Sequence, residues 1–228
     1  MPPPGTTSYG LRDHGVGWNL RTMSLEELAT LLAHGRIVVL SGAGCSTESG
    51  IPDYRGVSGA SRSRTPVRYQ EFMARPEARQ RYWLRSMAGW PSFAAARPNG
   101  AHLALTELER GGRVVGVITQ NVDGLHQAAG TIAMVELHGS LARVRCMGCG
   151  SLVSRESVQE RLVGENSDRI GPSGPLAPDG DSEVDTQAPS DFRVPECERC
   201  GGILKPDVVF FGENVSREWH CNRNAFGG

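Results

Sequence analysis

Hydrophobic and polar positions along this chain fall into blocks that switch between a helical and a strand period. Leu25, Leu28, Leu31 and Leu32 recur at helical spacing behind Ser24-Leu25-Glu26-Glu27, a capping-box pattern, and Gly35 supplies a stop. An amphipathic helix is predicted there. Arg36-Ile37-Val38-Val39-Leu40 follows, a short apolar run of the kind that a parallel sheet buries on both faces, and it leads into Ser41-Gly42-Ala43-Gly44. Residues 101–110 read as a helix ended by Gly111-Gly112, residues 114–119 and 134–137 as two further buried strands, and residues 208–211 as a fourth. Between the first two strands, residues 56–97 carry Phe72, Tyr82, Trp83 and Trp90 among arginines and serines, which predicts helices packed over a cleft. Helices alternating with apolar strands predict an open α/β sheet. The stretch 164–195 is dense in Pro, Gly, Asp and Ser and predicts an exposed, mobile loop.

Composition narrows the classes. A length of 228 residues permits one mid-sized domain or a larger one with a small satellite, and a formal charge of −1 leaves no general pull toward nucleic acid or lipid. The longest apolar runs, such as residues 37–40 and 208–211, fall far short of the roughly 18 to 20 residues of a membrane span. Residues 1–18 lack the basic-flanked apolar stretch of a secretory signal, so a cytoplasmic location is expected. Of six cysteines, four form the Cys-x-x-Cys pairs Cys146/Cys149 and Cys197/Cys200. Without an export signal, that spacing points to a metal before disulfides. Four thiolates satisfy a tetrahedral Zn2+ and leave no position for water or substrate, so one structural zinc is expected. Cys149 and Cys197 lie farther apart than in an ordinary ribbon, a gap that the Pro/Gly-rich insertion fills. Glu196 and Glu198 beside the second pair are no basic stripe, which disfavours a nucleic-acid-binding ribbon. Cys45 and Cys221 stand outside the tetrad, Cys45 as a small packing residue.

Gly42 and Gly44, placed just after a buried strand, would let the backbone approach a pyrophosphate. Thr47 stands where the third glycine of G-x-G-x-x-G belongs, so this pattern alone is as compatible with a plain turn. Read onward as Gly42-Ala43-Gly44-Cys45-Ser46-Thr47-Glu48-Ser49-Gly50-Ile51-Pro52-Asp53-Tyr54-Arg55, it resembles the cofactor-binding loop of the sirtuin family. Thr119-Gln120-Asn121-Val122-Asp123-Gly124-Leu125-His126 and Glu136-Leu137-His138-Gly139-Ser140 are similar to that family's second and third signatures, in the same order. The resemblance runs over about residues 25–215. Arg79-Gln80-Arg81-Tyr82-Trp83, Gly89-Trp90-Pro91 and Ala177-Pro178-Asp179-Gly180-Asp181 resemble the class II branch, which includes a mitochondrial member with weak deacetylase activity.

The resemblance implies a Rossmann-like α/β parallel sheet, incomplete at its C-terminal end, with a small zinc-ribbon module. It divides the chain into a flexible leader (1–23), an NAD-binding part (24–140), a zinc module carrying the insertion (141–204), a return strand (205–215) and an atypical tail (216–228). The implied reaction is NAD-dependent deacylation of acylated lysine side chains of proteins, with NAD as co-substrate and nicotinamide, free lysine and O-acyl-ADP-ribose as products. Carried over onto this chain, His138 is the base that activates a ribose hydroxyl, and Asn121 and Asp123 hold the ribose and the nicotinamide amide with Gln120, Val122 and Ile51. Gly42, Ala43, Gly44, Ser46, Thr47, Glu48 and Pro52 belong to the cofactor-binding loop. Asp53, Tyr54 and Arg55 form its flexible part, with Arg55 set to pair with phosphate and Tyr54 to cover the reacting ribose.

An imidazole titrates near neutral pH and suits a general base, although a lone histidine after a strand is more often structural. Asn121 and Asp123 read equally as an Asx turn, and His126 is expected to pack. Arg68-Tyr69 does not supply the Tyr and Arg three residues apart that the family's desuccinylases use, so a succinyl pocket is not expected. Family members continue past Val215 with further strand-loop units, and residues 216–228, with Trp219, His220, Cys221 and Asn222, are expected to be a truncated or frameshifted end. Two alternatives stand beside deacylation: protein mono-ADP-ribosylation, and an inactive zinc-containing fragment.

Overall fold

A computed structural model describes residues 24–54, 66–169, 174–182 and 191–215; the predicted leader, Arg55 and the predicted tail lie outside the described residues. The chain divides into two units, Met1–Gly35 and Arg36–Gly228. In the first, α1 (Leu25–His34) forms as its pattern predicts. Ser24 Oγ accepts from the Glu27 N–H at 3.1 Å, the Glu27 carboxylate accepts from the Ser24 N–H at 2.8 Å, and the Gly35 N–H closes on the Leu31 carbonyl.

The second unit is built on two sheets. The first is parallel, in the order β1 (Ile37–Ser41), β2 (Val114–Thr119), β3 (Met134–Glu136). Helix α4 (Gly100–Arg110) begins where Asn99 caps the Ala101 and His102 amides and stops at Gly111-Gly112. Near its end Glu109 accepts from the amides of Ile132 and Ala133, which fixes the approach to β3. The central strand β2 is the buried one, with Val114 and Val117 fully enclosed. The expectation that the first strand is buried on both faces is corrected: Val38 is 52% and Leu40 64% exposed. Helix α4 packs on β2 and on α5 (Leu125–Ala129), so among the described residues one face of the edge strand β1 stays open.

The second sheet is antiparallel, in the order β5 (Leu152–Ser154), β4 (Gly139–Cys146), β6 (Leu204–Val208). The strand predicted at 208–211 and the return strand of 205–215 are corrected here. The strand ends at Val208 and pairs with β4, not with the parallel sheet. Lys205 and Asp207 interrupt the apolar pattern, yet both are buried because each finds charged partners. The Asp207 carboxylate takes Arg143 Nε at 3.0 Å and Arg145 Nε at 2.8 Å, while Lys205 Nζ reaches the Val208 carbonyl at 2.6 Å and Glu213 at 2.9 Å.

The predicted helices over the cleft appear as α2 (Tyr69–Ala74) and α3 (Pro76–Ala94), and with α6 (Arg155–Glu165) they cover the antiparallel sheet. The main apolar core lies here. Phe72 meets Tyr82 and Phe210 edge to face at centroid distances of 5.5 and 5.3 Å, and the Trp83 indole N–H reaches the Leu204 carbonyl. Buried Arg155 lies over the Trp83 and Trp90 rings and donates to Ser86 and Gln159. The insertion predicted to be exposed and mobile is corrected in its described parts: α6 runs to Glu165, and Asp181, Ser182 and Phe192 are buried. The Ser182 N–H binds the Arg85 carbonyl of α3, and a Cβ on Gly89 would come within 2.3 Å of the Gly180 carbonyl, so glycine is required for this approach. Residues 170–173 and 183–190 of the insertion lie outside the described residues. Among the described residues no helix is long and apolar enough to cross a membrane.

Candidate active site and metal centre

From β1 the chain enters a tight 3-10 turn, Ala43–Ser49. A Cβ on Gly42 or Gly44 would meet nothing within 4 Å, and neither residue adopts positive φ. The fold itself therefore makes no demand for glycine at these two positions; what glycine keeps open is the space in front of the turn. Gly50 differs, because its φ of 84° is the left-handed region that closes the turn.

Ser46, in the middle of the turn, is buried and joins the two predicted signatures. Its hydroxyl donates to Asp123 Oδ2 at 2.7 Å and accepts from Asn121 Nδ2 at 3.1 Å, and Asn121 Nδ2 also reaches the Gly42 carbonyl at 3.1 Å. Asp123 Oδ1 takes the Leu125 N–H, so the Asx-turn reading holds for this residue. Below the turn His126 packs as expected, bonded to Ser41 Oγ at 2.8 Å and edge-on to His102. Burial holds both imidazoles below the usual histidine range. Burial, then the nearby Asp123 carboxylate, raises the Cys45 thiol.

His138 follows β3. Its Nδ1 lies 3.0 Å from the Gln120 carbonyl and donates to it in the tautomer that leaves Nε2 unprotonated. His138 lines a cleft of about 450 Å³ together with Ala43, Ser46, Ile51, Tyr54, Gln120, Asn121, Val122 and Asp123. The three predicted catalytic residues, His138, Asn121 and Asp123, thus share one cavity. Gly42, Gly44, Thr47, Glu48, Pro52 and Asp53 are not on its wall, although the first four belong to or border the same turn.

The opposite wall was not foreseen as part of a site. It comprises Val208 to Gly212, Glu213, Tyr82, Leu141, Pro178, Asp179 and Asp181. Residues 208–211 read from the sequence only as an apolar strand, and Pro178 to Asp181 only as a branch marker. The wall is fixed from below: the Tyr69 N–H binds the Phe211 carbonyl, Gln70 Nε2 the Gly212 carbonyl, and the Phe210 N–H the Glu213 carboxylate that Lys205 also holds. Burial, then Asp179, pushes the Asp181 carboxyl well above the usual carboxylate range.

At the far end of β4 the four predicted metal ligands converge. One sulfur from each of Cys146, Cys149, Cys197 and Cys200 lies within 4.8 Å of the others, with Cys146–Cys200 at 3.5 Å and Cys149–Cys197 at 3.8 Å. All four are free thiols. The amides of Gly148 and Cys149 point at Cys146 Sγ, and a Cβ on Gly202 would lie 2.9 Å from that sulfur, so the knuckles close around the sulfurs. Four sulfurs at these separations fit a tetrahedral Zn2+ with no open position.

The Sir2 family profile matches residues 42–226. NAD-dependent protein deacetylase 1 of Streptomyces coelicolor is 53% identical over 208 residues, covering 90% of this chain and 70% of the relative. An NAD-dependent protein deacetylase of Xanthomonas campestris is 54% identical over 185 residues, covering 81% of this chain and 63% of the relative, so this chain spans less than two thirds of that protein. A solved structure of Sir2 with a p53 peptide and NAD+ superposes with a TM-score of 0.64 at 34% identity, over 87% of this chain and 69% of that one. With the glycine turn, the Ser46–Asn121–Asp123 network, His138 and the four-cysteine cluster on one chain, and with that breadth of match, the chain belongs to the Sir2 family.

Proposed function

We propose that this chain is an NAD-dependent protein lysine deacetylase that releases nicotinamide and an O-acyl-ADP-ribose. The observation that carries the reading is the single cavity in which His138, Asn121 and Asp123 face the wall formed by Val208 to Gly212. The empty space before Gly42 and Gly44 suits a pyrophosphate, and a solved Sir2 structure that holds a p53 peptide and NAD+ supports these two classes of substrate. Bound NAD supplies an anomeric carbon with nicotinamide as leaving group.

The chain's own residues then do three things. Ser46 holds the Asn121 amide and the Asp123 carboxylate in fixed orientation against ribose and nicotinamide. The Gln120 carbonyl fixes the His138 tautomer, so that Nε2 takes a proton from a ribose hydroxyl. Tyr54 and the apolar 208–212 wall exclude water from the reacting carbon. Pro52, Asp53 and Arg55 complete the cofactor loop in this reading, and Thr47 and Glu48 its rigid base.

Among the described residues no arginine or lysine lines the cleft, whereas Asp179 does, which favours acyl groups without a negative charge. One zinc in the four-cysteine cluster keeps the antiparallel module folded, and residues 24–140 and 141–204 divide the work between cofactor and metal. Four thiolate ligands suit a reducing compartment, which supports a cytoplasmic site.

Incubation with an acetyl-lysine peptide and NAD, followed by mass spectrometry, tests the proposal. Equal amounts of free nicotinamide and deacetylated peptide are expected. Nicotinamide release with ADP-ribose left on protein and the peptide still acetylated would replace it with mono-ADP-ribosylation.

A further inference from the structure

Beneath the cofactor turn lies a second group of metal-ligating side chains. One ligand atom from each of Cys45, His102 and His126 lies within 4.8 Å of the others. Cys45 Sγ is 3.8 Å from His102 Nε2, close to the roughly 3.5 Å that sulfur and nitrogen keep around a tetrahedral ion with bonds of about 2.3 and 2.0 Å. His126 is 1% exposed, and its Nδ1 is buried with no hydrogen-bond partner. Such an orphan is costly unless something occupies it.

Both imidazoles are oriented in the way that metal-bound histidines are, with the second ring nitrogen turned to an oxygen. His126 Nε2 lies 2.8 Å from Ser41 Oγ, and donation there leaves Nδ1 as a bare acceptor. His102 Nδ1 lies 3.1 Å from Asn99 Oδ1, with the Asn99 N–H at 3.3 Å as the alternative, and donation to the oxygen frees Nε2 toward Cys45. Cys45 is the partly open member of the three and gives solvent access.

We propose that Cys45, His102 and His126 form a second, exchangeable site for a thiophilic ion such as Zn2+, and that an ion held there weakens NAD binding. One sulfur and two nitrogens leave a fourth position open, unlike the closed four-cysteine centre, so the ion can come and go. On binding, the Cys45 S–H bond breaks, a metal–sulfur bond forms and the proton leaves to solvent. The antagonism follows from the chain path. Cys45 precedes Ser46 and His126 follows Asp123 by three residues, so drawing Cys45 toward the imidazoles pulls on the Ser46–Asp123 bond that orders the proposed NAD site. Coupling of this kind is reciprocal: NAD weakens the ion by the same factor.

Protein with its four-cysteine centre filled is dialysed against micromolar Zn2+, and bound zinc is counted by mass spectrometry. Two ions per chain are expected, one in Cys45→Ala and one in His126→Gln, which has no ring nitrogen but can still bond Ser41. Added Co2+ should give a thiolate charge-transfer band that Cys45→Ala lacks. Calorimetry should find NAD affinity lowered about tenfold or more by the second ion in the parent chain alone. One ion in the parent, or two in folded Cys45→Ala, would overturn the site; equal NAD affinity with and without the second ion would overturn the antagonism. The antagonism rests on the NAD reading and the ion count does not, so a chain that takes a second ion yet binds no NAD when that site is empty defeats the NAD reading and the antagonism while sustaining the site.

Discussion

The two sheets of the second unit are held together by different means. The antiparallel sheet is covered by an apolar cluster around Phe72, Trp83, Val144, Leu162 and Leu204, bordered by the buried, hydrogen-bonded Arg155, Lys205 and Asp207 and tied at one end by four sulfurs. The parallel sheet is surrounded by buried polar groups: Ser41, Ser46, His102, Thr106, His126 and Thr131. Apolar burial is non-directional and additive, whereas each buried polar group needs its own partner. The first kind of packing makes a platform, and the second fixes individual atoms in place. The candidate catalytic groups sit where atoms are fixed one by one, and the wall opposite them is part of the platform.

Breaking the platform should have the largest effect. Cys197→Ala removes one of four sulfurs, and structural zinc sites supply on the order of 10 kcal/mol of folding free energy in small domains. The melting temperature followed by circular dichroism is expected to fall by roughly 10 °C or more with loss of bound zinc; an unchanged melt with zinc gone would remove the metal from the platform. Trp83→Ala empties the centre of the cluster and is expected to cost about 3 to 5 kcal/mol in urea unfolding. A cost below about 1 kcal/mol would show that the cluster is not the main source of stability.

On the polar side the outcome should invert, with function lost and stability kept. The Cβ of Gly44→Ala meets nothing within 4 Å, so its melt should match the parent within a few degrees while NAD affinity falls at least roughly tenfold by calorimetry. Unchanged affinity would mean that the space before the turn is not a ligand's. The smallest effect is a pH dependence. His102 and His126 have folded values below their unfolded value of 6.5, so the unfolded chain binds more protons between the two. Their contribution to stability is complete above about pH 6.5 and declines as pH falls through that window, which a series of melts should show in the parent and more weakly in His102→Gln, where His126 alone remains.

Much of this division could be read from residues alone, because local rules set it. The capping box at Ser24 and the glycines after Arg110 placed two helices, and the two Cys-x-x-Cys pairs placed the metal centre. The sequence pattern places strand β6 too late and in the wrong sheet because Lys205, Pro206 and Asp207 look like a break; only Arg143, Arg145 and Glu213, distant in sequence, make their burial affordable in charge. The far wall of the cleft escaped detection for the same reason. Asp179 and Asp181 lie in a stretch whose composition predicts an exposed loop, and it is Gly89 on α3 that lets that stretch pack inward. The grouping of Cys45 with His102 and His126 draws on three separate elements, and no spacing along the chain records it.

The most direct measurement compares the parent with His138→Ala by nicotinamide release under single-turnover conditions, with NAD affinity taken from calorimetry on the same samples. His138 bonds through its side chain to one backbone carbonyl, so the variant should fold and still bind NAD. Loss of at least about 100-fold in peptide deacetylation with NAD binding retained is the expected result. Equal turnover in the two proteins would contradict the assignment of the base.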